Sequence, residues 1–245
     1  MAPRPIVLSI GTTHPWNVAG TGRDLIVGVH FGVRVFTAVA AVSAQGPHGV
    51  TALQRTERNI FQAQLATLPW ESAQAARVGA LASSEAVEIV AEALRVRPEL
   101  LAVVDPAFAA SRGGELVDAA GRIAYRDRLA VLGNVILTPN LAEAAELLGV
   151  AAVDASSIGE AAAELRSRGC LAVLVKGGHL DGAPTDVLAA AEGIVPFTEP
   201  RIAGQMHGTG CSLAMALACE LAAGKSLLDS VRSARAYVRS EIAKH

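Results

Sequence analysis

Short, almost wholly apolar runs that end in polar residues recur along this chain, and longer amphipathic stretches separate them. Residues 6–10, 33–39, 100–105, 135–138 and 171–176 read as buried strands. Residues 84–94, 114–130, 141–148, 158–168, 212–223 and 227–243 carry helical spacing. Gly149 and Gly224 stand where helices close with a left-handed residue. Strands that are apolar on both faces must be covered on both, and strand–helix alternation makes right-handed crossovers. The pattern predicts an α/β fold with a mostly parallel sheet. With no repeat and no low-complexity linker, residues 1–245 read as one domain.

Composition narrows the function classes. Hydrophobic residues make up 51% of the chain but aromatics only 4%, so Ala, Val and Leu must build the core. A net charge of −2 gives no electrostatic footprint for nucleic acid or an anionic membrane. No apolar run approaches the roughly 18 residues of a membrane span. The first residues lack the basic-then-apolar order of a secretory signal. Cys170, Cys211 and Cys219 lack the spacing of a zinc site or disulfide framework, so the expected setting is reducing and cytoplasmic.

In a parallel sheet, ligands bind beyond the carboxyl ends of the strands. Asp105, Thr138-Pro139-Asn140 and Lys176-Gly177-Gly178-His179 all fall at such ends. His207-Gly208-Thr209-Gly210-Cys211 opens a long apolar helix expected to start near Ser212. Glycines there allow a tight turn, and a helix N-terminus offers unpaired N–H groups and a positive dipole end. The loop therefore reads either as an anion cradle with a reactive thiol at its rim or as a plain turn with Cys211 as filler. Asn140 and Glu143 have the spacing of a capping box, a structural reading that stands beside any ligand role.

In order and spacing, Val104-Asp105-Pro106, Thr138-Pro139-Asn140-Leu141-Ala142-Glu143-Ala144, Val175-Lys176-Gly177-Gly178-His179 and His207-Gly208-Thr209-Gly210-Cys211 resemble the hydroxymethylpyrimidine/phosphomethylpyrimidine kinases, of the ribokinase-like superfamily. The resemblance spans most of the chain and is strongest over residues 100–238. It implies a three-layer α/β/α sandwich, ATP and Mg²⁺ at the strand ends, a small-molecule acceptor and a homodimer. It further implies that Gly208, Thr209 and Gly210 hold the transferring phosphate, with Cys211 as the base beside the acceptor hydroxyl. Lys176, Asn140, Gly178 and His207 fall on the nucleotide side, and Glu143 and Asp105 on the metal side.

The acceptor side departs from that family. Its usual Ala-Gly-Ser-Asp-x-Ser-Gly-Gly-Ala-Gly is replaced by residues 11–20, which place Thr13, His14, Trp16 and Asn17 there. The family's ring-binding Gln falls on Val42, with Gln45 as a substitute only if the loop is rebuilt, and its ring-packing Met falls on Ala80. Thr13, His14, Asn17, Val42 and Ala80 are therefore expected to line the acceptor pocket. A site that trades an amide for Val loses heavily on a polar ring. One reading keeps hydroxymethylpyrimidine or its monophosphate as acceptor. The alternatives are another vitamin-like heterocycle of pyridoxal type, or a relative that binds ligand without turnover.

Overall fold

The apolar runs form strands in a computed structural model of the chain, which describes residues 3–178 and 182–244. In chain order they are β1 (Ile6–Thr13), β2 (Arg34–Gly46), β3 (Gly49–Arg55), β4 (Ala75–Val78), β5 (Leu101–Val104), β6 (Val135–Leu137), β7 (Ala172–Val175), β8 (Thr185–Ala190) and β9 (Gly193–Thr198). The helices are α1 (Gly20–His30), α2 (Arg58–Ala66), α3 (Ser84–Arg95), α4 (Ala119–Ala124), α5 (Leu141–Leu148), α6 (Ile158–Ser167), α7 (Thr209–Ala222) and α8 (Leu227–Ile242). Among the described residues the strands make one sheet in the order β3-β2-β1-β4-β5-β6-β7-β8-β9. From β2 to β7 every pairing is parallel, while β3, β8 and β9 join antiparallel.

Alternation along each strand feeds two cores. Leu8, Val78, Val104 and Leu137 pack toward α3, α5 and α6, whereas Val7, Ala75, Val103 and Ile136 pack toward α7 and α8. The central helix α7 is buried along nearly its whole length, which is why its sequence is apolar all round. These layers form the α/β/α sandwich.

Three departures from the sequence reading have physical causes. The helix expected over residues 114–130 begins only at α4, because Gly113 and Gly114 take φ of 93° and 100° and Asp118 caps the helix by accepting from Gly121 N at 2.7 Å. A π-helical turn, Tyr125–Leu129, then continues it. The helix expected at Ser212 starts earlier, at Thr209, so the glycine motif is its N-cap and first turn. β4 is hidden in the sequence because the charged Arg77 sits at its centre. Gly149, with φ 78°, closes α5 as expected.

Candidate active site

The chain leaves β1 toward β2 on one side and returns to β4 on the other, which opens a crevice at the carboxyl ends of β1 and β4. A cleft of about 440 Å³ lies there. Its wall on one side is the first turn of α7. Gly208 holds φ 75° and accepts the first helical hydrogen bond from Ser212 N at 2.8 Å. A Cβ on Gly208 would land on the Val18 carbonyl, so only glycine lets α7 begin beneath that turn. The amides of Thr209, Gly210 and Cys211 belong to the helix start, where intrahelical acceptors are lacking.

Lys176 follows directly on β7 and faces this turn. Its backbone donates to Pro139 O at 2.8 Å, and its Nζ lies 2.7 Å from Asp105 Oδ1. A Cβ built on Gly210 would sit 3.1 Å from Lys176 Nζ, so glycine keeps open a space bounded by amides and an ammonium. That space suits a phosphate. Burial would lift the Asp105 carboxyl, but Lys176 and Arg77 overcome it and hold Asp105 below the usual range. Burial works against the Lys176 charge, yet Asp105 and Glu143 keep its pKa above the ordinary value.

Asn140 and Glu143 form a reciprocal cap on α5. Asn140 Oδ1 accepts from Glu143 N at 2.9 Å, and Glu143 Oε2 accepts from Asn140 N at 2.7 Å. Burial lifts the Glu143 carboxyl to about 7 against the pull of Lys176. The cap thus anchors a carboxylate whose side chain borders the cleft beside the lysine. Mg²⁺ keeps most of its waters and needs few protein oxygens, so this donor set fits it. Asp105 fits a direct metal ligand poorly, because Lys176 takes one oxygen and Arg77 the other at 3.0 Å.

The Cys211 thiol is pushed above its ordinary value by burial and by Asp105 and Asp24, against the opposing pull of Arg77 and a backbone hydrogen bond from Gly20. That direction runs against the lowering a helix N-terminus favours, with desolvation the largest contribution.

Of the expected site residues, Asp105, Asn140, Glu143, Lys176, Gly178, Gly208, Thr209, Gly210 and Cys211 all border the one cleft. His14 and Ala80 border it too, as does Gln45. His14 is buried; its Nε2 accepts from Ala19 N at 3.2 Å, and burial lowers its pKa and keeps it neutral. The other acceptor candidates lie elsewhere. Thr13 is not on the cleft, where Thr12 stands instead, its Oγ1 donating to Ala80 O at 2.9 Å. Val42 is 50% exposed and faces away from the cleft. Asn17, in left-handed conformation with φ 51°, folds its side chain over Gly22 at the start of α1. Trp16 is 59% exposed and lies against Gly46. His207 stands outside the cleft and accepts from Arg112 Nε at 2.8 Å. His179 falls outside the described residues. Strand parity explains the Val42 outcome: Ser43 and Gln45 share one face of β2, and Val42 takes the other. The sequence reading gave no role to Arg77, which borders the cleft from β4, nor to the segment around Phe108, Ala109 and Ala110 that closes one side.

A parallel sheet with an amide-and-lysine cradle at its carboxyl ends defines a phosphate-handling α/β enzyme. Comparison with known proteins agrees. The family described as phosphomethylpyrimidine kinase matches residues 15–245. A hydroxymethylpyrimidine/phosphomethylpyrimidine kinase of Streptomyces coelicolor is 35% identical over 240 residues, covering 97% of this chain and 88% of that protein. The phosphomethylpyrimidine kinase of Clostridium difficile superposes with a TM-score of 0.85 at 25% identity, covering 98% of this chain and 100% of the other. An ADP complex of Bacillus subtilis pyridoxal kinase superposes with a TM-score of 0.89 at 25% identity, covering 98% and 92%. The chain belongs to the phosphomethylpyrimidine kinase family and is a phosphotransferase of that type. Among the described residues no helix is long and apolar enough to cross a membrane.

Proposed function

We propose that this protein transfers the γ-phosphoryl group of ATP to hydroxymethylpyrimidine, to its monophosphate, or to both, as a step in thiamine biosynthesis. The observation that carries this is the meeting of Lys176, Glu143 and the first turn of α7 around one cleft in a chain so similar to kinases of that name. Phosphoryl transfer asks for placement and charge neutralisation more than covalent chemistry. The amides of residues 209–211 and the Lys176 ammonium would hold the transferring group and take up its developing charge. Mg²⁺, held through water by Glu143, would draw charge from the nucleotide phosphates.

Cys211 borders the cleft next to the cradle and would lie beside the acceptor hydroxyl. With its thiol pushed above its ordinary value by burial, it would orient the acceptor hydroxyl instead of abstracting its proton in advance. In a loose transition state that proton leaves late, to a phosphoryl oxygen, as the new bond forms. His14, Gln45 and Ala80 would line the ring pocket.

The test is ATP consumption with Mg²⁺ against hydroxymethylpyrimidine, its monophosphate, pyridoxal and no acceptor. Turnover with either pyrimidine is expected. Turnover with pyridoxal alone would move the protein to the second reading. Cys211→Ser should keep most activity while Cys211→Ala loses it; equal activity in both would remove the orienting role.

A further inference from the structure

Arg77 is 1% exposed, yet it lies at the centre of β4 beside the cleft. Its register neighbours are Ser9 on β1 and Val103 on β5, so it points to the face covered by α1 and α7. Its Nη1 lies 3.2 Å from Asp24 Oδ2, which also accepts from Ser9 Oγ at 2.6 Å. Its Nη2 lies 3.0 Å from Asp105 Oδ2, and Asp105 Oδ1 takes Lys176 Nζ at 2.7 Å. The Cys211 thiol borders the same cleft and feels the guanidinium's charge. A Cβ on Gly79 would overlap the guanidinium, so the backbone itself is shaped around it.

Stability alone does not account for such a chain of charges. Buried ion pairs often do no better than apolar residues of the same volume, because desolvation offsets their attraction. What a guanidinium supplies is direction: a rigid planar fork sets two acceptors at a fixed separation. Asp105 held only by Lys176 would turn about its own side chain and take the ammonium with it. Gripped on its second oxygen, it cannot.

We propose that Arg77 is a positioning residue for phosphoryl transfer, which fixes the Lys176 ammonium through Asp105. The proposal rests on the phosphotransfer reading above. It assigns the active-site geometry to a side chain that no mechanistic step consumes.

The test separates position from charge balance. The double variant Arg77→Met/Asp24→Asn removes one cation and one anion together, so no buried charge is left uncompensated. Its melting temperature is expected to stay within a few degrees of wild type while kcat falls about 100-fold, the scale set by misplacing a reacting group by about 1 Å. Affinity for an ATP analogue with a methylene β,γ bridge should fall about tenfold, since Lys176 is no longer aimed. Arg77→Gln/Asp24→Asn provides a second charge-balanced variant, whose amide cannot grip Asp105 as the guanidinium does; kcat should fall at least tenfold. Wild-type kcat in either folded variant would overturn the proposal. If wild type turns over no acceptor, the functional reading fails, and analogue affinity alone then decides for Arg77, with unchanged affinity overturning it.

Discussion

Gly210→Ala should make this protein slightly more stable and far less active. Gly210 sits in the first turn of α7 and is not among the residues with positive φ, so alanine meets no backbone strain. Alanine exceeds glycine in helix propensity by about 1 kcal/mol in a helix interior, and a first-turn site should realise part of that. The new Cβ would meet Lys176 Nζ at 3.1 Å and the Asp105 oxygens at 3.8 and 3.9 Å. The nearest atom ends a flexible side chain, so relief costs a shift of a few tenths of an ångström and little energy. The expected stability change is a gain of 0 to about 1 kcal/mol, or up to about 4 °C in melting temperature for a chain of this size. Activity answers differently, because the methyl fills the space left for phosphate and displaces the lysine. Loss of one charge-stabilising group costs about 100-fold or more, so kcat/KM should fall by that factor. Thermal melts and coupled ATP-consumption assays on the same preparation read both effects. A stable, fully active Gly210→Ala enzyme would refute the placement of the phosphate in this space. A large fall in melting temperature would refute the packing argument.

Other substitutions probe separate parts of the site. Glu143→Gln keeps an oxygen for the Asn140 N–H, so α5 should start normally and stability should change by less than about 1 kcal/mol. The Mg²⁺ concentration for half-maximal rate should rise severalfold; an unchanged Mg²⁺ dependence would leave Glu143 a cap alone. Gln45→Ala should raise acceptor KM at least fivefold with little change in ATP KM, while Val42→Ala should change neither, and the reverse pattern would return Val42 to the pocket. Burial holds the Asp24 carboxyl at about 6 in the fold, above its ordinary 3.8. The folded state therefore binds this proton more tightly than the unfolded chain does. Its contribution is complete below about pH 4 and lost as pH rises through about 6, a difference of about 2–3 kcal/mol. In urea titrations, wild type should lose stability relative to Asp24→Asn across that window; a pH-independent difference would sink the assignment.

The parallel strands and the buried helix α7 were legible because apolar runs with no polar interruption have few other uses. The strand-end residues were legible for the same reason: each stands out as the first polar group after such a run. Arg77 shows where this reading fails. A fully buried arginine breaks the apolar pattern of β4, and only its tertiary partners, Asp24 and Asp105, make the burial tolerable. The acceptor wall was misread for a different reason. Gap-free matching put an amide position on Val42, but side-chain parity along β2 turns Gln45 inward. Helix α1 was missed because Gly20, Gly22 and Gly28 dilute its periodicity, although Asn17 and Val35 need two of them for close packing. The β8–β9 hairpin was hidden by Pro196, which an edge strand tolerates and a central one would not.

The contact between Gly208 and the Val18 carbonyl divides the acceptor wall into two parts with different freedom to vary. Val18 and Ala19 form the ceiling under which the phosphate-facing helix begins, so a change in their loop is transmitted to the phosphate end of the cleft. The β2–β3 hairpin carries Gln45 and leans on residues 112–113 through Gly49, so it reaches the helix start indirectly, through the Arg112–His207 hydrogen bond. Relatives with new acceptors, whether natural or built in the laboratory, should therefore arise by exchange of the hairpin. Libraries that randomise residues 43–50 should yield altered selectivity with intact nucleotide use, whereas libraries over residues 15–19 should yield mostly inactive protein.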